Sequence, residues 1–395
     1  MILTVLFWIL FFILFYAYLG YALVLFLIHY TKKILSATKT PQNTTSYEPE
    51  VCLFVTAFNE KDYIKQKVEN SFSLDYPKEK IQYVWVTDGS DDGTPEMLMR
   101  YKNLEVYHLP ERRGKMHAMN RGMKFVKAPV VIFSDTNTIL SKESIREITA
   151  QFRNPEVGCV AGEKRITGKK ADAAAAAGEG LYWKYESWVK KMDAELNSAV
   201  GAVGELFAIR RELFQEVEPD TILDDFVISL RIAREGYKIA YTPNAYAEET
   251  ASLNVSEELK RKIRIAAGGI QAIFRLKSLL NPFKYGILTW QYFSHKVLRW
   301  TLAPLSLFAI FVVNVIMVWT SGNWTTPDFY VFFLYIQMIA YFLAFAGWIL
   351  ENNKLRFKLL FVPYYFTAIN YAAIRGMYRY FKGKQTVKWE KSKRA

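Results

Sequence analysis

The sequence predicts an α/β domain with a mainly parallel sheet, attached to membrane-spanning helices. Short apolar segments alternate with helical segments between residues 51 and 152, and this alternation is typical of parallel strands joined by helices. Hydrophobic residues make up 51% of the 395 residues, which is more than a soluble domain usually contains. Residues 1–31 contain no Asp, Glu, Lys or Arg. The excess of apolar residues therefore indicates a membrane protein.

The predicted elements follow one another along the chain in a regular order. Apolar runs such as residues 130–133 are typical of strands that are buried on both faces of a sheet. The predicted strands cover residues 51–58, 81–87 and 130–133, and an apolar turn leads into a further strand over residues 200–209. The predicted helices cover residues 61–74, 115–125, 141–152 and 173–196, and another begins near Asp224.

Three segments predict membrane crossings. Residues 2–28 are long enough to span a hydrocarbon core of roughly 30 Å, and the basic pair that follows at residues 32–33 favours a retained anchor over a cleaved signal peptide. Residues 301–320 and 329–350 predict a helical hairpin, because Asp328 is the one charged residue between Arg299 and Glu351. The positive-inside rule then places the α/β domain on the cytoplasmic side of the cell membrane, in a multi-pass protein.

A fourth apolar segment, residues 359–374, is shorter than a spanning helix needs and has basic residues on both sides. We expect it to lie in the membrane interface or to re-enter, because a fourth crossing would export a basic tail. The predicted division of the chain is an anchor (1–30), a linker (31–49), the α/β domain (50–280), an amphipathic interface segment (281–299), the hairpin (300–350), and the interfacial or re-entrant segment with its basic tail (351–395).

The net charge of +13 does not predict binding of nucleic acid. Much of the excess lies beside the membrane segments or in the tail, where anionic membrane lipids account for it. No nucleic-acid-binding module is present in the sequence. The two cysteines predict neither a disulfide framework nor a metal site.

Two predicted strands run into acidic loops, VWVTDGSDDGT at residues 84–94 and VVIFSDTNT at residues 130–138. Ligands of parallel sheets lie at the carboxyl ends of the strands, so these carboxylates predict a site for a nucleoside diphosphate and a divalent cation. The sequence has neither a Walker A loop nor a Gly-x-Gly-x-x-Gly motif, and phosphate binding would depend on metal and basic side chains. Residues 112–115, RRGK, supply such side chains at the start of a helix. The alternative is a solvated basic turn.

Six segments together resemble the family 2 glycosyltransferases. They are, in chain order, VCLFVTAFNE, VWVTDGSDDGT, RRGKMHAMNRGM, VVIFSDTNT, VGAVGELFAIRREL and ILDDFVISLRIAREGYKIAY. The chain is similar to the membrane-embedded branch that contains the hyaluronan, cellulose and poly-N-acetylglucosamine synthases, over residues 48–300. The resemblance implies a GT-A fold of the nucleotide-diphospho-sugar transferase type, a sugar-nucleotide donor and inversion of the anomeric centre.

The same resemblance implies roles for individual residues. Asp135 matches the first acid of the family's Asp-x-Asp motif, and Asn137 replaces the second. Both are expected to bind Mg²⁺ or Mn²⁺, since an amide oxygen can serve a hard cation. Taken alone, a carboxylate at a strand end is more often a cap or a turn former. The implied donor-binding residues are Ala57, Asn59, Glu60, Asp88, Lys115 and Asp135.

Asp224 and Asp225 match the family's acidic pair, in which the second acid is the catalytic base. A carboxylate beside the acceptor hydroxyl can remove its proton as the oxygen attacks. Two acids at a helix start could instead cap it. Gly201, Gly204 and Glu205 match the family's acceptor segment, although the glycines could simply form a turn.

The processive relatives carry a Gln-x-x-Arg-Trp motif, whose Gln and Trp are replaced here by Arg261 and Ile265. Arg264 is retained. Arg261, Lys262 and Arg264 form a basic cluster that suits the phosphate of a polyprenyl diphosphate acceptor. We therefore expect an enzyme that adds one or a few sugars, and we read Arg299 and Trp300 as an interface anchor.

The function predicted is transfer of a sugar, from a nucleotide donor that we expect to be uridine-linked, to a glycan or polyprenyl-linked acceptor. Such a reaction at the cytoplasmic membrane face belongs to the synthesis of cell-surface or extracellular polysaccharide. Two alternatives stay open at this point, a processive polysaccharide synthase and a nucleotide-sensing membrane protein without catalysis.

Overall fold

The computed structural model describes residues 1–35, 47–167, 173–250, 255–322, 324–325, 328–352 and 358–383. Most of the predicted linker (36–46) and the basic tail (384–395) lie outside the described residues.

One eight-stranded sheet forms the centre of the fold, with the strand order β3-β2-β1-β4-β7-β6-β8-β5. β1 lies parallel to both β2 and β4, β2 is parallel to β3, and β6 is parallel to β8. β7 is antiparallel to β4 and to β6. The mainly parallel sheet predicted from the sequence is confirmed. The strands are β1 (Val51–Ala57), β2 (Ile81–Asp88), β3 (Glu105–Leu109), β4 (Val130–Asp135), β5 (Ile139–Leu140), β6 (Val157–Thr167), β7 (Leu206–Arg210) and β8 (Lys238–Thr250).

Helices cover both faces of the sheet and continue into the apolar ends of the chain. In the first half they are α1 (Ile2–Phe15), α2 (Tyr21–Leu35), α3 (Lys61–Ser73), α4 (Thr94–Leu98), α5 (Lys115–Met123), α6 (Ser144–Gln151) and α7 (Ala173–Leu196). In the second half they are α8 (Asp224–Arg234), α9 (Val255–Arg275), α10 (Pro282–Tyr285), α11 (Ile287–Tyr292), α12 (Leu298–Trp300), α13 (Leu302–Ser321), α14 (Phe329–Asn352) and α15 (Lys358–Phe381).

Alternate residues of the buried strands pack against opposite helical layers. On one face, Phe133 lies between Phe54 and Phe207 with ring centroids 5.2 and 4.7 Å away, and α5 and α8 pack over these rings. On the other face, Trp85 is fully buried in the layer that α3 and α6 form. Burial on both faces explains why these strands read as continuous apolar runs.

Three helical segments are long and apolar enough to cross a membrane, and the chain is a membrane protein. Among the described residues these are Ile2–Ile34, Leu302–Ser321 and Phe329–Leu350. The first is continuous from α1 to α2 through a π-helical turn. Phe7 of α1 is buried against Ile310 and Val313 of α13, which joins the anchor to the hairpin.

The segment predicted to be interfacial or re-entrant lies within one helix, α15, which has Pro363 inside it. α15 approaches α9 closely, because a methyl group on Gly376 would lie 2.5 Å from the Cβ atom of Ala266. The helix is thus attached to the α/β domain, while its position relative to the membrane stays a prediction.

Candidate active site

A cavity of about 250 Å³ lies where β4 ends and where α5 and α8 begin, with α7 and α9 on the opposite side. It brings together residues that are far apart in the chain. The predicted site residues that line it are Glu60, Lys115, Asp135, Asn137, Gly204, Glu205, Asp224, Asp225, Arg261 and Arg264.

Lys115 lies at the centre of the charged groups. Its Nζ atom is 3.1 Å from Oδ1 of Asp135 and 3.0 Å from Oδ2 of Asp224. Local structure explains the convergence: Asp135 is the last residue of β4, and Lys115 and Asp224 are the first residues of α5 and α8. Gly114, with a φ of 101°, turns the chain into α5 in a conformation that favours glycine. The carboxylate oxygens of two elements therefore face one cationic group.

The electrostatics of the cavity shift the pKa values of Lys115, Asp135 and Asp225. Burial disfavours the charged form of Lys115, but Asp135 and Asp224 outweigh it and raise the pKa of the ammonium. Burial also raises the pKa of Asp135, against the effect of Lys115. Burial and the neighbouring Asp224 raise the pKa of Asp225 to about 7. A carboxylate with this pKa can accept a proton near neutral pH.

Gly204 lies directly beside Asp225, because a methyl group added to it would be 3.7 Å from the Asp225 carboxylate. Gly201, by contrast, is outside the cavity wall. Its φ is +87°, and a Cβ atom would lie 2.3 Å from the ring of Phe226. The structure therefore explains Gly201 by a turn that packs against the residue after Asp225, which was the alternative interpretation of the sequence.

Asn137 and Glu205 belong to one buried network. The side-chain nitrogen of Asn137 donates a hydrogen bond to Glu249 at 3.0 Å, and Lys164 forms ion pairs with both Glu249 and Glu205. Although burial opposes ionisation, Lys164 lowers the pKa of Glu205 to about 2. The network fixes Asn137 with its amide nitrogen in use, so that its oxygen is the atom left for a ligand.

Lys67 supports the Asp135 loop from inside the protein. Its Nζ atom is fully buried and donates hydrogen bonds to Ser134 Oγ at 2.7 Å and to the Thr138 carbonyl at 2.8 Å. Burial lowers the pKa of Lys67 to about 7. These bonds hold the loop that follows β4 on both sides of Asp135. Sequence patterns gave no indication of this lysine, because it lies on a helix far from the loop in the chain.

A small recess adjoins the cavity, and Ala57, Asp88 and Lys115 line it together with Phe58 and Arg112. Oδ2 of Asp88 accepts hydrogen bonds from the backbone nitrogens of Arg113 and Gly114 at 2.9 and 2.6 Å. Oδ1 of Asp88 is buried and has no hydrogen-bond partner among the described residues. Nδ1 of His117 lies 3.9 Å from this oxygen, and a hydrogen-bond donor of a ligand in the recess would satisfy it.

Asn59, in the loop that follows β1, is held by contacts with the loop that follows β2, and its role in donor binding stays a prediction. Its side chain exchanges hydrogen bonds with Asp91, at 2.8 Å to the carboxylate and 3.0 Å from the backbone nitrogen. It is also absent from the residues that line the recess, and its φ of 53° is unusual for a residue other than glycine. Asn59 thus orders the loop after β1.

Arg261 and Arg264 reach the cavity from α9. Arg261 pairs with Glu258 one turn earlier, at 2.9 Å. Burial lowers the pKa of the Arg264 guanidinium, and Arg261 adds to this effect. The two arginines are therefore part of the same electrostatic site as Asp225.

Trp300, which the sequence suggested as an interface anchor, lies on the wall of the cavity. It lines the cavity beside Ile265, and its ring centroid is 5.0 Å from that of Phe226. A methyl group on Gly269 would be 2.6 Å from the indole, so that glycine is needed for the ring to pack on α9. The position of Trp300 relative to the membrane stays a prediction, and its ring supplies the aromatic wall that Ile265 does not.

One face of α7 contributes site residues that sequence reasoning missed. Trp183, Glu186 and Lys190 all line the cavity. Their spacing of three and four residues places them on one side of a helix, and this spacing was the available signal. Three ammonium groups surround the Trp183 ring within 6.0 Å of its centroid, those of Lys164, Lys190 and Lys262.

The oxygen atoms of the site suit a divalent cation only in part. Asp135, Asp224 and Asn137 offer the hard oxygen donors that Mg²⁺ and Mn²⁺ prefer. Among the described residues, however, no group of three His, Cys, Asp or Glu side chains has an arrangement that could hold a metal. The protein would thus supply a minority of the ligands, and phosphate or water would supply the rest.

Comparisons with known proteins agree with this architecture. A sequence profile described as glycosyltransferase like family 2 matches residues 49–268. The poly-beta-1,6-N-acetyl-D-glucosamine synthase of Staphylococcus aureus (strain MSSA476) is 26% identical over 258 residues, which is 62% of this chain and 61% of that protein. The synthase of the same name from Staphylococcus epidermidis is 24% identical over 57% of this chain and 56% of its own length. The chain thus matches less than two thirds of these relatives.

A solved structure shares the fold over nearly the whole chain. It is the mannosyltransferase PcManGT from Pyrobaculum calidifontis in complex with GDP-Man and Mn²⁺, with a TM-score of 0.70 and 21% sequence identity. The match covers 97% of this chain and 100% of that one. The GT-A fold expected from the sequence is confirmed.

Proposed function

The chain belongs to glycosyltransferase family 2, and we propose that it transfers a sugar from a nucleotide-sugar donor to a glycan or polyprenyl-linked acceptor, with inversion at C1. One observation carries the proposal: carboxylate oxygens of Asp135 and Asp224 lie 3.1 and 3.0 Å from Lys115 Nζ, in a cavity that Asp225 also lines. This group combines a cation for phosphate, oxygens for a metal and a carboxylate with a pKa near neutrality.

The donor would enter through the recess. Its nucleoside would lie near Ala57 and Asp88, where the buried Oδ1 atom of Asp88 can accept a hydrogen bond from a ribose or base donor. Its diphosphate would lie at the start of α5, where backbone nitrogens and Lys115 favour an anion. We expect a uridine-linked donor, as in the sequence-based proposal.

Asp135 and Asn137 would hold Mg²⁺ or Mn²⁺ together with the donor's phosphate oxygens. When bound, the metal would stabilise the negative charge that develops on the leaving diphosphate. With the donor bound, the Lys115 ammonium would exchange its contact with Asp135, Asp224 or both for a contact with the donor phosphate. The bound Mn²⁺ named for the mannosyltransferase structure supports a metal requirement here.

Asp225 would act as the general base. The acceptor hydroxyl oxygen bonds to C1 of the donor sugar, its proton moves to Asp225, and the bond from C1 to the phosphate oxygen breaks on the opposite side. The nucleoside diphosphate leaves with the electron pair of that bond. Asp224 would keep the pKa of Asp225 high enough for this task.

A second candidate function is processive polysaccharide synthesis. The expectation against it depended on the missing Gln and Trp of the processive motif, and Trp300 and Trp183 place two indole rings on the cavity wall. Aromatic rings offer an apolar face to a sugar. The names of the staphylococcal relatives support the same candidate. Mass analysis of the product separates the two, since a ladder of tens of sugars on one acceptor would establish the polymer synthase.

The site would face the cytoplasm of a cell-membrane protein. The basic residues that follow the anchor at positions 32–33 support this orientation. The proposed domain division is the one given for the sequence, with the α/β domain at residues 50–280.

The test of the function is incubation of the purified protein in lipid with a panel of sugar nucleotides and Mg²⁺ or Mn²⁺. Release of nucleoside diphosphate from one donor class, with a sugar-bearing product, is the expected result. Tight binding of a nucleotide without release from any donor would instead support the nucleotide-sensing protein.

A further inference from the structure

A second cavity, of about 370 Å³, lies against the first at the level where the helices of the membrane region meet the α/β domain. We call it the apolar cavity. Leu19 of the anchor forms one side, and Val362, Phe366 and Ile369 of α15 form another. Its volume lies within the range of roughly 300–1,000 Å³ that small-molecule sites occupy.

The two cavities share a wall. Glu186, Lys262, Ile265, Lys296 and Trp300 line both of them. A ligand could therefore extend from Asp225 in the catalytic cavity, past this shared wall, into the apolar cavity.

The chemistry changes along this path. The shared wall and the adjacent Arg299 offer three cations, Lys262, Lys296 and Arg299, and Glu186 is the one carboxylate among the described residues that line the apolar cavity. Lys296 pairs with Glu186, Arg299 lies 3.2 Å from it, and Lys262 is 3.7 Å from Glu258. The excess of cations over carboxylates along this wall suits a phosphate group.

Beyond the cations the cavity offers a hydrocarbon surface. Several of its polar side chains bond within the protein. Tyr18 and Asn370 bond to each other, and the Asn370 nitrogen also donates to the Phe366 carbonyl at 2.8 Å. The Tyr185 hydroxyl donates to the Tyr18 carbonyl, and the His295 ring nitrogens contact Asp193 and Glu186. Sugar hydroxyls buried against such a wall would lose hydrogen bonds to water without replacing them. A hydrocarbon chain buried there has no hydrogen bonds to lose, and its burial is favourable.

The rim of the apolar cavity is exposed between the anchor and α15. Leu19 is 62% exposed and Val362 is 50% exposed. In a bilayer these side chains would contact lipid, and a hydrocarbon chain could enter between the anchor and α15 without crossing water.

We propose that the apolar cavity binds the hydrocarbon chain of a phosphate-linked lipid acceptor, a polyprenyl diphosphate that carries the acceptor sugar. The sugar hydroxyl lies at Asp225, the diphosphate lies at Lys262 and Lys296, and the first isoprene units lie between Leu19 and α15. This inference rests on the proposed glycosyl transfer and names its acceptor class.

The binding test does not depend on catalysis. A C15 isoprenyl diphosphate with a photoreactive group at the end of its chain is cross-linked to the protein in lipid nanodiscs, and the labelled peptides are mapped. We expect labelling of α15. Unlabelled C15 isoprenyl diphosphate should suppress this labelling at least tenfold more effectively than the C15 alcohol does. Equal suppression by the alcohol would show that the cavity takes any membrane hydrocarbon and would overturn the proposal.

Leu19→Trp fills the cavity, and Leu23→Trp is its matched control. Leu23 lies one turn along the same helix and is 51% exposed, but it is outside the cavity wall. Leu19→Trp should reduce the labelling at least tenfold, and Leu23→Trp should change it less than twofold. Ala373→Phe fills the cavity from α15 and provides a second variant if the first fails to fold.

Activity measurements distinguish failure of the lipid site from failure of the proposed glycosyl transfer. Leu19→Trp should lower kcat/KM for a C15 isoprenyl diphosphate-linked sugar at least tenfold, while nucleoside diphosphate release with a water-soluble acceptor stays within twofold of wild type. Equal loss with both acceptors, or no loss with either, would overturn the lipid site and leave the glycosyltransferase standing. Absence of release from every donor by the wild type would instead contradict the proposed function itself.

Discussion

The pH dependence of the reaction follows from the environment of Asp225. Burial and Asp224 raise the pKa of this carboxyl from its ordinary value of 3.8 to about 7. A general base must be ionised, so kcat/KM for the donor should rise with pH and level off above about pH 7. Two pH units below that pKa, about 1% of the groups are ionised, and kcat/KM should be about 100-fold below its plateau.

Two substitutions should move the acidic limb of this profile, which is the pH range where kcat/KM rises, in opposite directions. Asp224→Asn removes the like charge and should shift the limb to lower pH. Lys115→Gln removes a positive charge that lowers the pKa of Asp225, and it should shift the limb to higher pH. The assay is kcat/KM for the donor between pH 5 and 8.5, normalised to the plateau of each variant. Normalisation removes the loss of overall activity that both variants should also show.

A flat profile between pH 5 and 8.5 in the wild type would refute the reasoning. The same conclusion would follow if both variants moved the limb in the same direction, because the charges around Asp225 would then not control the titrating group.

Three further predictions concern the metal, the turn before β7 and the orientation. Chelation and Asp135→Ala should each reduce turnover by at least about 100-fold, as expected when a metal's charge stabilisation is lost, and full activity in chelator would contradict the metal site. Gly201→Ala should destabilise the protein by about 2–4 kcal/mol, since it combines a strained φ with a clash against Phe226; a lower unfolding temperature than that of Gly204→Ala checks this, and equal temperatures would disprove it. A cysteine at position 325 should react with an impermeant reagent in intact cells and one at position 395 should not, whereas labelling at 395 would show that α15 crosses the membrane.

Local patterns in the sequence predicted the nucleotide-binding half of the fold well. Strands β1, β2 and β4 are continuous apolar runs, and the acids that follow them had to lie at one edge of a parallel sheet. The start of α8 at Asp224 was also predictable, because two acids before an apolar run are typical of a helix start.

The remaining site residues depend on contacts that no local pattern specifies. Lys164 reaches Glu205 and Glu249 across the sheet, and Lys67 reaches the Asp135 loop from α3. Trp300 occupies the site only because α12 folds back onto Gly269. Such long-range packing decides which charged groups meet, and a single sequence does not contain it in readable form.

The most direct test of the account is transfer by Asp225→Asn, with the wild type as reference. Asparagine has nearly the same shape as aspartate but cannot accept the proton, so the rate of sugar transfer at saturating donor should fall by at least about 100-fold. Donor binding, measured separately by calorimetry, should stay within about threefold because Asp225 is not assigned to the donor. Transfer at the wild-type rate by a well-folded Asp225→Asn protein would contradict the account, and a larger loss in Asp224→Asn would assign the base to Asp224 instead.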